Sequence, residues 1–191
     1  IRYIGENVAI IDVAAEVSGM KGPDGAAAPP FKHHVTWVAE KRGGIWMGWS
    51  GKINDAGEPG PLAIEQRGNI TYALTDLTSK DVDEYYFGFA NRMLWPICHY
   101  RLDLAEYGRT EMAGYFRVNR FFAHRLAPLI KPDDIIWVHD YHLIPLAAEL
   151  RQMGIRNKIG FFLHIPWPPA DVLFAMPVHD EIMRGLAAYD L

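Results

Sequence analysis

The sequence predicts an α/β domain built on an open parallel sheet, and three features carry that prediction. Two apolar runs, DDIIWV at 133–138 and RNKIGFFL at 156–163, read as short strands. Between them LIPLAAELRQMG has helical spacing and stops at Gly154, a C-cap signal. Strand, helix and strand of these lengths make a βαβ unit, whose strands run parallel and sit centrally. Length agrees: 191 residues, 50% of them hydrophobic, bury a real core and suit one domain with an irregular extension.

Taken in order, the other elements are less uniform. Residues 3–17 fit a strand or a short helix equally. The Gly, Pro and Ala content of SGMKGPDGAAAPP marks 18–30 as loop or linker. HHVTWVAEK at 33–41 alternates as a strand, and GGIWMGWSGK at 43–52 is a strand interrupted by glycines. A turn-rich insertion at 53–63 leads to another strand, NITYALTDL at 69–77. SKDVDEYY opens a helix with Ser79 as N-cap and acidic residues in its first turn. It is expected to run to Met93 or Leu94, stopped by Pro96. Within 110–127, Met112, Tyr115, Val118, Phe122 and Leu126 recur at helical spacing. A further helix is expected near Ala170, with Pro169 in its first turn.

Composition excludes several functions. A net charge of −4, with 19 Lys and Arg scattered rather than striped, argues against nucleic-acid binding. Cys98 is the only cysteine, so no internal disulfide or thiolate cluster forms, and a reducing, cytoplasmic compartment fits. The opening IRYIGENVAIIDVAAEV lacks the basic and apolar regions of a signal peptide. No run approaches the length of a membrane span. The chain lacks an initiator Met and stops on YDL straight after a helical pattern, as a piece of a longer protein would.

Candidate chemistry gathers at the ends of the two predicted parallel strands. The connection after the first holds His139, Asp140 and His142, and the one after the second holds His164. In an open parallel sheet, both connections lie beyond the carboxyl ends of neighbouring strands, where ligands bind. A structural reading stands beside the functional one. Asp140 or the His142 ring can cap the following helix, and His164 can be a packed strand-end residue. A zinc site is a weaker alternative, because HDYH has no third patterned ligand. No G-x-S-x-G elbow exists, and WSGK lacks the spacing of a P-loop. Trp46, Trp49, Tyr85, Tyr86 and Trp95 all read as core, although Trp46 and Trp49, three apart on a glycine-broken strand, leave room for at least one to project into a pocket.

The motifs in series go further than any one of them. GGIWMGWSGK (43–52), NITYALTDLTSKDVDEYYFGFANRMLWPICHY (69–100), GYFRVNRFFA (114–123), DDIIWVHDYHLIPLAAELR (133–151) and IGFFLHIPWPPADVLFAMP (159–177) resemble the trehalose-6-phosphate synthase family in order and spacing. The bacterial members are the nearest in character, and the resemblance covers roughly residues 43–191. It implies a Rossmann-like parallel sheet with helices on both faces, the N-terminal half of a two-domain GT-B glycosyltransferase. The implied reaction transfers glucose from UDP-glucose to glucose 6-phosphate, giving α,α-trehalose 6-phosphate and UDP with retention of configuration. UDP-glucose is then a donor substrate, and no cofactor or metal is implied. The implied partners are those two sugars, with no nucleic acid or membrane, and a homo-oligomer remains open for the full-length enzyme.

Carried over motif by motif, Trp49 in GWSG, Tyr86 in EYYFGF and Trp95 in MLWP resemble walls of the acceptor pocket. Aromatic faces there pack on sugar C–H surfaces. Asp140 in VHDYH resembles the carboxylate that bonds acceptor hydroxyls beside the reacting centre. His164 in FFLHIP resembles the histidine that contacts the donor glucose. Asp140 and His164 are thus the expected catalytic residues, His164 acting by position and electrostatics rather than as a nucleophile. His139 and His142 are expected to support Asp140 and its loop. Residues 1–42 depart from the family pattern of a strand followed by S-N-R and then G-G-L. They are set apart as a divergent or mis-specified N-terminal segment. Residues 43–191 form the expected N-terminal Rossmann-like domain, with the C-terminal donor-binding domain absent. The chain by itself is therefore expected to be inactive. The alternatives are a related transferase with another phosphorylated acceptor, or a non-catalytic sugar-phosphate-binding or structural fragment.

Overall fold

The computed structural model describes the backbone of residues 2–3, 8–17, 31–40, 43–54 and 56–191, with side chains from residue 43 onward. Two compact units emerge: residues 1–46 with 64–73, and residues 47–63 with 74–191. In the first, β1 (Arg2–Tyr3), β2 (Val8–Val17) and β3 (Phe31–Glu40) form an antiparallel sheet in chain order. Ile10 pairs with Val38 and Val17 with Phe31 along the β2–β3 ladder. Residues 8–17 are therefore strand, as their β-branched residues favour. The expected linker at 18–30 lies outside the described residues.

Strands β4 (Gly44–Ile53), β5 (Ala63–Arg67) and β6 (Ile70–Leu77) form a second sheet with β6 in the middle. Ala73, Thr75 and Leu77 are buried, the two-residue period of a strand with one face on a core. Thr75 is admitted there because its hydroxyl donates to the Gly60 carbonyl at 2.9 Å.

The helical run after β6 corrects the sequence reading at both ends. Its N-cap is Thr78 rather than Ser79: Thr78 Oγ1 accepts from the Asp81 N–H at 3.0 Å. One turn, α1 (Ser79–Asp81), widens into i→i+5 bonding over Val82–Leu94 before α2 (Trp95–Cys98). Pro96 does not stop the run. It sits in the first turn of α2, where a missing N–H is tolerated, while the Trp95 N–H still reaches the Ala90 carbonyl. Helix α3 (Arg109–Leu126) buries Tyr115, Val118 and Phe122, with Met112 and Leu126 half-buried. Gly114 marks its closest approach to the wide segment, because a Cβ there would overlap the Glu84 side chain. Buried Asp81 and Glu84 share Arg117, whose Nη2 lies 2.6 Å and 2.8 Å from their carboxylates, and Lys80 adds the second positive charge at Glu84.

The βαβ unit consists of β7 (Ile136–His139), α4 (Leu146–Gln152) and β8 (Ile159–Phe162). The strands are parallel, with Ile136 opposite Ile159 and His139 opposite Phe162. They are shorter than the apolar runs because polar side chains close the turns before them. Asp134 Oδ2 accepts from the Lys131 N–H at 2.8 Å, and Asn157 Nδ2 donates to the carbonyls of Lys131, Pro132 and Asp134. Helix α4 starts late because Tyr141–Leu143 form a tighter 3₁₀ turn; Gly154, at φ +84°, follows its end. Ile136, Val138 and Ile159 join Ile144, Ala147 and Leu150 in the core, together with Ile182 of a later helix. Pro169 is the N-cap of α5 (Ala170–Leu173) rather than a first-turn residue, and α6 (His179–Leu186) follows. The Asp190 N–H bonds the Ile159 carbonyl and the Phe161 N–H bonds the Leu191 carbonyl, so these residues run beside β8. No described helix is long and apolar enough to cross a membrane.

Candidate functional site

Asp140 follows β7 in a conformation that ordinary residues avoid, φ +72° and ψ 164°. That region belongs almost wholly to glycine and costs on the order of 1–3 kcal/mol for a side chain that adopts it. Several bonds hold it there. The Asp140 N–H bonds the Phe162 carbonyl at 2.9 Å, its carbonyl accepts from Leu143, and its Oδ1 accepts from the Tyr141 N–H at 3.0 Å. The carboxylate thus caps its own turn, as one sequence reading held, while the turn projects it beyond the strand end.

The parallel register brings two histidines together. His139 Nδ1 lies 3.0 Å from His164 Nε2, with the rings stacked at 5.2 Å. Burial, aided by the neighbouring His164 ring, pushes His139 down to about 3. This imidazole is therefore neutral across the working pH range. His164 itself is exposed at the edge of the pair.

An aromatic wall stands on the Asp140 side. Trp49 and Tyr86 meet at 5.5 Å, and Tyr86 stacks on His142 at 5.0 Å with the planes 16° apart. His142 also lies 4.1 Å from the Tyr141 ring and presents an edge to Tyr85. Its Nε2 is buried without a hydrogen-bond partner, and burial pushes its pKa down to about 3. Desolvation and then the Asp140 charge raise the Tyr141 phenol, and the same charge helps to raise Tyr86. Asp140 is therefore electrostatically close to both rings. Trp49 spends its indole N–H on the Lys52 carbonyl at 2.7 Å, leaving its face for contact. Trp95 lies further along the helical run, stacked on His99 at 3.9 Å.

Two residues in this network escape sequence reasoning. Tyr141 donates its hydroxyl to Asn91 Oδ1 at 2.8 Å. Neither stands out in sequence, because α-helical spacing puts Asn91 on a different face from Tyr86. Among the described residues, no group of three or more His, Cys, Asp or Glu is placed to hold a metal ion. A cavity of about 440 Å³ lies elsewhere, lined by Gly57, Thr78, Lys80, Asp81, Arg117 and Phe121 among others. Its Lys80 and Arg117 are engaged by Glu84 and Asp81.

Residues 25–191 match the family model described as glycosyltransferase family 20. The chain belongs to that family. It is 82% identical to the trehalose-6-phosphate synthase of Sinorhizobium fredii over 154 residues, covering 81% of this chain and 33% of that protein. It is 52% identical to the trehalose-6-phosphate synthase of an Enterobacter species, covering 78% of this chain and 31% of that one. Among solved structures it resembles a UDP-forming α,α-trehalose-phosphate synthase from Burkholderia xenovorans in complex with glucose 6-phosphate. That match has a TM-score of 0.75 and 50% identity, over 78% of this chain and 33% of the other. A structure from E. coli bound with UDP-2-fluoro glucose matches at a TM-score of 0.74 and 50% identity, over 78% of this chain and 32% of that one. The Rossmann-like α/β fold is therefore shared with family 20 synthases. The chain spans about a third of the length of the curated relatives it matches.

Proposed function

We propose that residues 43–191 belong to the acceptor-side domain of a trehalose-6-phosphate synthase. The observation that carries this reading is the junction of an aromatic wall, Trp49–Tyr86–His142, with a carboxylate held in a glycine-like conformation. Rings of this kind cover the C–H faces of a sugar and exclude water, while an ionised carboxylate accepts from its hydroxyls. Glucose 6-phosphate fits that chemistry, with Trp95 as a further wall and Asp140 orienting the anomeric hydroxyl. That hydroxyl attacks C1 of the donor glucose on the face from which UDP departs. The C1–phosphate bond breaks, and the departing phosphate takes the proton, so configuration is retained. His164 contacts the donor sugar and holds it against the acceptor, and neutral His139 fixes the His164 ring from behind. UDP-glucose is held mainly by residues outside this chain, and the reaction belongs to the cytoplasm. Transfer therefore needs the rest of the enzyme, while acceptor binding does not.

Calorimetric titration of the purified chain with glucose 6-phosphate tests this. Binding at about millimolar affinity or tighter is expected, with no UDP release when UDP-glucose is added. Asp140→Gly is the informative variant. It removes the carboxylate and relieves the backbone, so affinity falls at least about tenfold while the urea midpoint holds or rises. Wild-type chain that ignores glucose 6-phosphate, or turns over like a full-length synthase, would overturn the reading.

A further inference from the structure

We propose that Tyr115, Asn119 and Tyr189 are positioning residues that clamp the turn after β7 and so aim the Asp140 carboxylate. The inference rests on the reading of the pocket given above and assigns roles to residues outside its walls. The turn Tyr141–Leu143 presents three successive carbonyls, and each accepts from a side chain of another part of the chain. The Tyr115 hydroxyl donates to the Tyr141 carbonyl, and Asn119 Nδ2 donates to that of His142 at 3.0 Å. The Tyr189 hydroxyl donates to the Leu143 carbonyl at 2.8 Å. Tyr115 and Asn119 come from the buried face of α3. Tyr189 precedes the two residues that run beside β8.

A residue at the φ and ψ of Asp140 persists there only when its surroundings over-determine it. Two of the bonds around it are internal to the turn. Asp140 Oδ1 with the Tyr141 N–H, and the Asp140 carbonyl with the Leu143 N–H, would both travel with the turn if it tilted as a body. The Asp140 N–H on the Phe162 carbonyl pins only the point of entry. The Tyr141 hydroxyl on Asn91 fixes a side chain rather than the backbone. The three donors hold the far end, and Asn119 shows the demand most plainly. Its Oδ1 is buried without a partner, a cost that an apolar side chain in its place would avoid. Its Nδ2 reaches the Tyr115 carbonyl of its own helix at 2.9 Å and, across to the turn, the His142 carbonyl. The amide is kept for that second bond. His142 brings the consequence to the pocket, because its ring stacks on Tyr86 two residues from the carboxylate. One clamp therefore sets the register between the aromatic wall and Asp140, and a misplacement of about 1 Å can cost a reacting centre about 10²-fold.

The test separates the clamp from ordinary stability. Tyr115→Phe and Tyr189→Phe each remove one donor and keep the ring. In the full chain, each should weaken glucose 6-phosphate binding about threefold and the pair about tenfold, sizes that one and two hydrogen bonds support. Thr75→Val is the control, since it loses one buried bond to a carbonyl outside the turn, that of Gly60. It should lower the urea midpoint as either single variant does and leave affinity within about twofold of wild type. The backbone is read by nuclear magnetic resonance of the isotope-labelled chain. A positive φ brings a residue's own Hα and amide proton close together, so Asp140 gives a strong cross-peak between them. That cross-peak should weaken in the pair and hold in Thr75→Val. The single variants carry the same comparison at smaller size. A wild-type cross-peak in the folded pair overturns the proposal, and so does affinity within about twofold of wild type. If the wild type binds no glucose 6-phosphate, the pocket reading fails, and the cross-peak alone decides whether the clamp holds Asp140.

Discussion

His142 lies against two tyrosine rings, and its buried Nε2 has no partner for a proton. An unfolded imidazole charges near pH 6.5, whereas the folded one resists until about 3. Between those values the unfolded chain binds the extra proton, so stability falls as pH drops through that window. Above 6.5 neither state is charged and no dependence remains. The slope reaches at most about 1.4 kcal/mol per pH unit for this one group. His139, also held near 3, adds a smaller part in the same window because water screens its half-exposed ring. His142→Phe keeps a flat face for Tyr86 and removes the titration. Its urea midpoint is expected to vary less between pH 6.5 and 4 than that of the wild type. A profile as steep as the wild type would place the acid sensitivity elsewhere. His139, Asp140, His142 and His164 are legible in sequence because polar residues at the ends of apolar runs stand out. The positive φ of Asp140 and the bond from Tyr141 to Asn91 are not, since both depend on tertiary bonds rather than local pattern.

At the scale of elements, the packing of α3 on the wide segment gives the sharpest test. Gly114 lets the two backbones approach where Glu84 crosses, and Arg117 and Lys80 fix the Glu84 carboxylate. Glu84 therefore has little freedom to swing away from a new methyl group. In an open helix, Gly→Ala stabilises by about 1 kcal/mol. Here the overlap is expected to reverse the sign, with Gly114→Ala destabilising by about 1–3 kcal/mol in urea unfolding. A stabilised variant would mean that the two helical runs part without cost. The same region shows what periodicity can and cannot deliver. Alternation finds β6, and helical spacing finds α3, because each buries one face. The cap falls on Thr78 instead of Ser79 because two adjacent hydroxyls read alike until one meets the Asp81 N–H. Pro96 reads as a stop because sequence patterns assume one hydrogen-bond register, whereas the register changes just before it.

Across the whole molecule, the proposed reading makes the site one side of a cleft: Asp140 and the aromatic wall would serve an acceptor, and His164, exposed beside His139 at the strand ends, would face a donor. Its worth is best measured where the other side is supplied. The identity to the S. fredii protein, 82% over 154 residues, is high enough to exchange the matched segment while keeping nearly all core contacts. A chimera carrying these residues in that synthase is expected to release UDP from UDP-glucose and glucose 6-phosphate at a rate within about tenfold of the parent, because volume-conserving changes repack at small cost. Within the chimera, Asp140→Asn keeps the shape of the turn but removes the charge that orients the acceptor. It should lower kcat/KM by about 10²–10³, the range for losing one preorganised electrostatic contact. His164→Ala should lower kcat more than it raises the KM for glucose 6-phosphate if, as proposed, it contacts the donor sugar. A folded chimera without turnover would show that the substitutions in this segment have abolished the site. Turnover insensitive to Asp140→Asn would show that the carboxylate serves the turn and not the sugar.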